Sequence, residues 1–285
     1  MKVDQIMSSP VVAVNPTNPI SHAKNLMLRH KVKRLVVMDR GNPIGMLSMR
    51  DIAERLGKGS SSWRRRPIDN IPIARVMSKG IIAVSTSSDL NKAAALMLKH
   101  DISSLIVLDG KKVAGVVTKT DLARAFSENL TGRSKVRDLM SSNPVTVNRR
   151  HSLARVVELM QEYGVRRVVV VDGERPVGMV TESDVAFAQL EQPGAGVKER
   201  EVKFTRRLDR ASRPRARYIK YVALLTAEDV MRPELLTVEA GEDAARAAAL
   251  MLEHGISGLP VIEGEELVGI ITKTDLTKGI SRLGV

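Results

Sequence analysis

Apolar residues along this chain alternate between two spacings. One is a short, unbroken, mostly β-branched run: RLVVMD, SLIVLD, RVVVVD and GLPVIE. Such runs are too continuous for a strand wetted on one face, and predict strands covered on both. The other spacing lies upstream of each run and has helical period; in SSDLNKAAALMLKH, Leu90, Ala93, Leu96 and Met97 share one face. Asp89 or the serines beside it can cap that helix. A short extended piece (VVAV, IIAV, PVTV, LLTV) precedes each helix, and a turn after each run leads to a third strand, GMLS, GVVT, GMVT or GIIT. A final helix opens at the aspartate that follows. The predicted unit is β-α-β-β-α, about 50 to 60 residues long, and the fold class is mixed α/β (α+β).

The four units keep one internal register. VDQIM, IARVM, VRDLM and AEDVM end at Met7, Met77, Met140 and Met231. Twenty residues later stand Met27, Met97, Met160 and Met251, then Gly45, Gly115, Gly178 and Gly269, then Asp51, Asp121, Asp184 and Asp275, with no gap in any copy. A sheet this small needs another surface to cover it. Four copies therefore predict pairwise packing with pseudo-twofold symmetry. The expected boundaries are repeats at 1–60, 73–127, 134–190 and 226–285, a linker at 61–72 and a basic insert at 191–225. Pro214 interrupts any single helix in that insert, and YIKYVALL reads equally as strand or helix.

Charge and composition narrow the classes. The balance of 45 basic against 32 acidic residues gives +13, which favours polyanionic partners without choosing among them. Seven aromatics are too few for a surface that stacks successive bases. The absence of cysteine removes disulfides, thiolate metal sites and a cysteine nucleophile. No apolar run approaches the roughly 20 residues of a membrane span, and a cytoplasmic location without membrane contact is expected. No Walker loop, HExxH or Gly-x-Ser-x-Gly elbow is present. The expectation is a non-enzymatic protein with no catalytic residues, no metal and no catalytic cofactor.

Each copy carries Gly-h-h-Ser/Thr-x-x-Asp: Gly45 to Ser48 to Asp51, Gly115 to Thr118 to Asp121, Gly178 to Thr181 to Asp184, and Gly269 to Thr272 to Asp275. Two readings stand side by side. Ser/Thr-x-x-Asp before a helix is a capping-box variant. The same helix N-terminus presents free N–H groups and a positive dipole end to phosphate, with the hydroxyl as a further donor. Its aspartate can accept from vicinal ribose hydroxyls, and the strand glycine would let backbone approach a flat base. His30, His100 and His254 end the first helix of three copies, where Tyr163 stands in the other; they read as caps favoured by the helix dipole.

The four copies resemble CBS domains, which pair into Bateman modules that bind adenosine-containing ligands. Four in one chain are similar to the gamma subunit of AMP-activated protein kinase and its archaeal stand-alone relatives. The resemblance implies two Bateman modules in a disc-like arrangement, as a monomeric disc or a homodimer, with AMP, ADP, ATP or a related adenosyl compound as ligand and a protein effector downstream. It implies ribose binding by Asp51, Asp121, Asp184 and Asp275, and ribose or phosphate contact by Ser48, Thr118, Thr181 and Thr272. It implies an adenine pocket lined by Val32, Ile102, Val165 and Ile256. Phosphate would be met by Lys33-Arg34 and Arg166-Arg167; the second and fourth copies carry Ser103-Ser104 and Ser257-Gly258 instead. In such pairs one repeat's basic residues reach phosphate held by its mate, so Arg34 and Arg167 would each serve two clefts.

A second reading comes from the insert, which has ten basic residues against three acidic ones between Val197 and Lys220. Arg206, Arg207, Arg210, Arg213, Arg215 and Arg217 would then contact nucleic-acid phosphates, with the repeats as scaffold or ligand switch.

Overall fold

The computed structural model describes residues 1–52, 70–191, 197–206, 215–232 and 235–283. Residues 61–69 of the linker expected at 61–72, and Arg207, Arg210 and Arg213, fall outside these residues. The chain divides into two units, Met1–Pro144 with Leu236–Val285, and Val145–Leu235. Among the described residues no helix is long and apolar enough to cross a membrane.

The four β-branched runs form strands with the predicted limits: β2 is Arg34–Asp39, β6 Ser104–Asp109, β10 Arg167–Asp172 and β15 Gly258–Glu263. Each has at least three consecutive buried residues, as two-sided cover requires. The short pieces ahead of them, β1 (Ala13–Val14), β5 (Ala83–Ser85), β9 (Thr146–Asn148) and β14 (Val238–Glu239), pair parallel to them. The third strands, β3 (Asn42–Ser48), β7 (Lys112–Thr118), β11 (Arg175–Thr181) and β16 (Glu266–Thr272), pair antiparallel. The helical stretches are α1 (Ile20–Arg29), α2 (Leu90–Lys99), α5 (Leu153–Glu162) and α8 (Ala244–Glu253). His30, His100, Tyr163 and His254 are their C-caps, as read from the sequence. Asp89 is at the N-cap of α2 but makes no cap bond; its Oδ1 accepts from Lys2 Nζ at 2.8 Å instead.

The lead-in of each repeat packs in the core of another repeat, which sequence spacing did not reveal. Val3 lies in the core built by the second repeat's Val84, Leu105 and Val117. Ile71, Ile73, Val76 and Met77 lie with Leu35, Val37 and Leu47 of the first. The same exchange links the third and fourth repeats. Val136 packs with Val261 and Ile271 of the fourth, and Leu225 and Ala227 pack with Val168 and Val180 of the third. Backbone pairing follows: β4 (Ser78–Lys79) adds to β3, β8 (Ser141–Ser142) adds to β16, Ser8 bridges Val116, and Arg232 bridges Met179.

The strand glycines are where these lead-ins cross. A Cβ on Gly115 would sit 2.6 Å from Met7 Sδ, on Gly178 2.5 Å from Met231 Sδ and on Gly269 2.6 Å from Met140 Sδ, while on Gly45 it would strike the Ser78 carbonyl. Each glycine pairs with the residue before a bulge in the facing strand, opposite Val37, Val107, Val170 and Val261, where added twist lets the crossing chain approach. The glycine is therefore filled by a partner's lead-in, not held open for a flat base.

Within the first unit the second and fourth repeats share one core. Helix α3 (Lys119–Asn129) packs on α8, and α9 (Lys273–Leu283) packs on α2 and α3. The contact is reciprocal: Lys119 Nζ donates to Thr274 Oγ1 at 3.1 Å, and Lys273 Nζ to Thr120 Oγ1 at 3.2 Å. Gly279 is small because a Cβ there would meet Phe126 Cε2 at 2.9 Å, and Phe126 is fully buried. In the second unit, α6 (Glu182–Glu191) is followed by the insert, which forms a two-stranded antiparallel ribbon of β12 (Val197–Arg206) and β13 (Arg215–Leu224). Helix α4 (Val136–Leu139) and α7 (Ala227–Val230) are the short turns of two lead-ins.

The crossings give a mutational test. Gly178→Ala should destabilise the protein by about 1–3 kcal/mol through overpacking, read by denaturant unfolding. Adding Met231→Ala, which removes the atoms that Cβ would strike, should recover part of that loss. Gly45→Ala has a carbonyl in its way and should gain no such recovery from Met77→Ala.

Candidate functional site

All four Ser/Thr-x-x-Asp motifs close as caps. The Asp Oδ2 accepts from the backbone N–H and the hydroxyl of the residue three before it. These distances are 2.7 and 2.6 Å for Ser48 to Asp51, 2.8 and 2.7 Å for Thr118 to Asp121, 2.8 and 2.6 Å for Thr181 to Asp184, and 3.0 and 2.7 Å for Thr272 to Asp275. An ionised carboxylate only accepts, so the hydroxyl proton is committed to it. Thr118 Oγ1 also accepts from Thr120 N–H at 3.2 Å and Asp121 N–H at 3.4 Å. In this geometry the four hydroxyls serve as cap atoms, each donating to its aspartate.

The second carboxylate oxygen is the one turned to other chemistry. Asp51 Oδ1 accepts from Ser78 Oγ at 3.0 Å and Asp275 Oδ1 from Lys278 Nζ at 2.8 Å. Asp121 Oδ1 lies 3.5 Å from Arg124, and Asp184 Oδ1 3.7 Å from Arg232. Each copy thus has one oxygen fixed in the cap and a second that meets a hydroxyl or a cation.

The first and second repeats bring their predicted residues together. A cavity of about 360 Å³ is lined by Val32, Lys33 and Arg34 of the first and by Thr118 and Asp121 of the second. Arg34 Nη2 donates to Ser103 Oγ at 2.7 Å. Burial, and next the neighbouring Arg50, hold the Arg34 guanidinium below its ordinary pKa, with Asp121 and Asp51 pulling it back up. A guanidinium stays charged regardless, so this is a partly desolvated cation that an added anion would stabilise. The Ser103-Ser104 departure from the basic pair also finds a reason: Ser103 is the acceptor for the mate's arginine, where a second cation would repel it.

Other residues of this cavity were not singled out by the sequence. Lys31, Arg124 and Lys273 line it, with Ser8 from the lead-in and Leu252 and Gly255 from the fourth repeat. Arg124 could have been found at one helical turn from Asp121; Lys273 could not, because only the reciprocal helix packing brings it there. The remaining predicted residues lie outside this cavity. Ile102 and Ile256 pack against the core of the first unit and Val165 against that of the second. Arg167 opens β10 opposite Thr181, as Arg34 faces Ser48 in the first repeat; Arg166 precedes it, and its carbonyl accepts from Glu182 N–H at 3.0 Å.

The family model described as the CBS domain matches residues 3–58, 73–128, 136–191 and 227–282. The chain is 30% identical over 289 residues to the uncharacterized protein MJ1404 of Methanocaldococcus jannaschii, covering 99% of this chain and 62% of that one. The structure of MJ1225 from the same organism, described as a candidate archaeal homolog of g-AMPK, superposes with a TM-score of 0.73 at 20% identity, covering 98% of this chain and all of that one. A conserved Pyrococcus horikoshii protein superposes with a TM-score of 0.67 at 19% identity over 98% of this chain. The chain spans less than two thirds of MJ1404.

If the hydroxyl is a cap atom, Thr118→Val should lower stability by about 1 kcal/mol, seen as an earlier unfolding midpoint. Thr118→Ser, which keeps the oxygen, should leave the midpoint nearly where it was.

Proposed function

Because the chain belongs to the CBS-domain family, we propose that it is a regulatory, non-catalytic module whose first and second repeats bind an adenine nucleotide in the cavity between them. One observation carries the reading: that cavity gathers Val32, Lys33 and Arg34 from one repeat with Asp121 from its mate. Its volume is within the range of small-molecule sites. Val32 offers an apolar contact for the base. The less committed Oδ1 of Asp121 can accept from a ribose hydroxyl while Oδ2 stays in the cap.

Charge favours phosphates. Lys31, Lys33, Arg34, Arg124 and Lys273 line the cavity against the single carboxylate of Asp121. A di- or triphosphate would relieve this surplus at a site already partly desolvated. A neutral nucleoside or a cationic adenosyl sulfonium would not. ADP and ATP are therefore the preferred ligands, ahead of AMP.

The same lining suggests how binding is passed on. Lys273 belongs to the fourth repeat and donates to Thr120 of the second. A phosphate competing for Lys273 would loosen that bond and bias the packing of the second repeat on the fourth. Such a ligand acts only through its differential affinity for the two arrangements.

Calorimetric titration tests the site. ADP and ATP should bind, and adenosine and S-adenosylmethionine should bind at least tenfold more weakly. Arg34→Ala should cost ATP affinity roughly 1.5–3 kcal/mol, the worth of a charged hydrogen bond, while changing adenosine affinity little. Flat titrations of folded protein with all four compounds would reject the reading.

A further inference from the structure

The first helices of the first three repeats end in the same two backbone bonds. In α1 the Val32 N–H donates to the Met27 carbonyl at 2.9 Å and the Lys31 N–H to the Leu28 carbonyl at 3.2 Å. In α2 the N–H groups of Ile102 and Asp101 reach Met97 and Leu98, and in α5 those of Val165 and Gly164 reach Met160 and Gln161. In α8 the Gly255 N–H makes the second of these bonds, to Leu252. This closure, the Schellman motif, requires left-handed backbone at the residue after the C-cap. There φ is 53° at Lys31, 46° at Asp101, 61° at Gly164 and 62° at Gly255. Glycine enters that region freely, whereas a Cβ crowds the following carbonyl. Aspartate tolerates it through local hydrogen bonds of a short side chain, a relief lysine lacks. A Cβ built on Gly164 or Gly255 would meet nothing within 4 Å, so conformation and not packing selects glycine at this position. Among the four copies, lysine is the residue the backbone does not explain.

We propose that Lys31 is a phosphate-binding residue of the cavity between the first and second repeats, kept where glycine would fold better. Lys31 is exposed, and it lines that cavity beside Val32, Lys33, Arg34 and Arg124. Residues held in unfavourable backbone regions gather at functional sites, where the surroundings justify them. A cation at a helix C-terminus is also favoured by the helix dipole, but Arg29 already stands in the last turn of α1. The dipole therefore gives no need for a second cation in a left-handed position, whereas a polyanionic ligand does. This inference rests on the nucleotide reading above and adds a signature to it. The side chain that favours the ligand disfavours the fold, so replacing it moves affinity and stability in opposite directions.

Two substitutions in the full chain separate the backbone from the charge. Lys31→Gly removes the cation and the Cβ; Lys31→Ala removes the cation and keeps the Cβ. Scanning calorimetry without ligand should show the Lys31→Gly midpoint raised by about 1–3 °C, and the Lys31→Ala midpoint nearly unchanged. In titrations both variants should bind ATP about three- to tenfold more weakly and bind adenosine as the unmodified protein does. The ATP deficit should shrink in about 1 M salt, where charges are screened beyond roughly 3 Å. Unchanged ATP affinity in both variants, an equal loss for adenosine, or a Lys31→Gly midpoint below that of the unmodified protein would each overturn this inference and leave the nucleotide reading standing. No ATP binding by the unmodified protein would overturn both.

Discussion

The crossing of each lead-in over a strand glycine is the contact on which the other features rest. A three-stranded sheet of this size leaves an open edge and an uncovered face, and both are liabilities in water. The lead-in removes both at once. Its short strand or bridge closes the edge at β3, β7, β11 or β16, and its apolar turn fills the core beneath. Only a residue without Cβ lets the lead-in come this close, so glycine is set by packing and needs no ligand to explain it. In the first unit the exchange makes the first and second repeats mates, and there Lys33 and Arg34 line the same cavity as Asp121.

The aspartates show why cap and ligand readings are hard to separate and need not compete. A carboxylate has two oxygens. In every copy one is spent on ordering the helix start, which also aims the other. Asp121 is 6% exposed and Asp275 3% exposed, so little of either residue is open to water. What differs among copies is the cation beside that oxygen. Asp275 has Lys278 at 2.8 Å, whereas Asp121 has Arg124 at a looser 3.5 Å and Arg34 acting across the cavity. Identical motifs thus become unequal sites through residues outside the motif.

Much of the fold was legible in the sequence because burial on both faces writes an unmistakable pattern. RLVVMD and its three counterparts became strands with the expected ends, and the helical spacing around Leu90 and Met97 became α2. The exchange was not legible. Met7 and Gly45 keep a constant spacing within one copy, yet Met7 packs on Gly115 of another, and periodicity cannot tell a contact within a repeat from one between mates. The ribbon was left open between strand and helix for a different reason: RARYIKYVAL lacks the clean alternation of apolar and polar residues that marks a half-buried strand. The motif singled out the aspartates and the resemblance singled out Arg34, but neither pointed to Lys273, since no local signal tells that a helix of the fourth repeat borders a cavity of the first and second.

The unequal repeats are better understood as two interlocking kinds than as degraded copies. The first and third carry the basic pairs Lys33-Arg34 and Arg166-Arg167, and the second and fourth carry small residues at those positions and the shared sequence Thr-Lys-Thr-Asp. Where mates meet, an arginine needs an acceptor, and Ser103 supplies one at 2.7 Å. Where the second repeat meets the fourth, Thr-Lys-Thr-Asp works because it is self-complementary: each lysine reaches the threonine of the other copy. Lys119 is 8% exposed, and a lysine that deep survives only with such a partner. One edge of the second repeat therefore lines the cavity and the other meets the neighbouring helices, with Thr120 touching both.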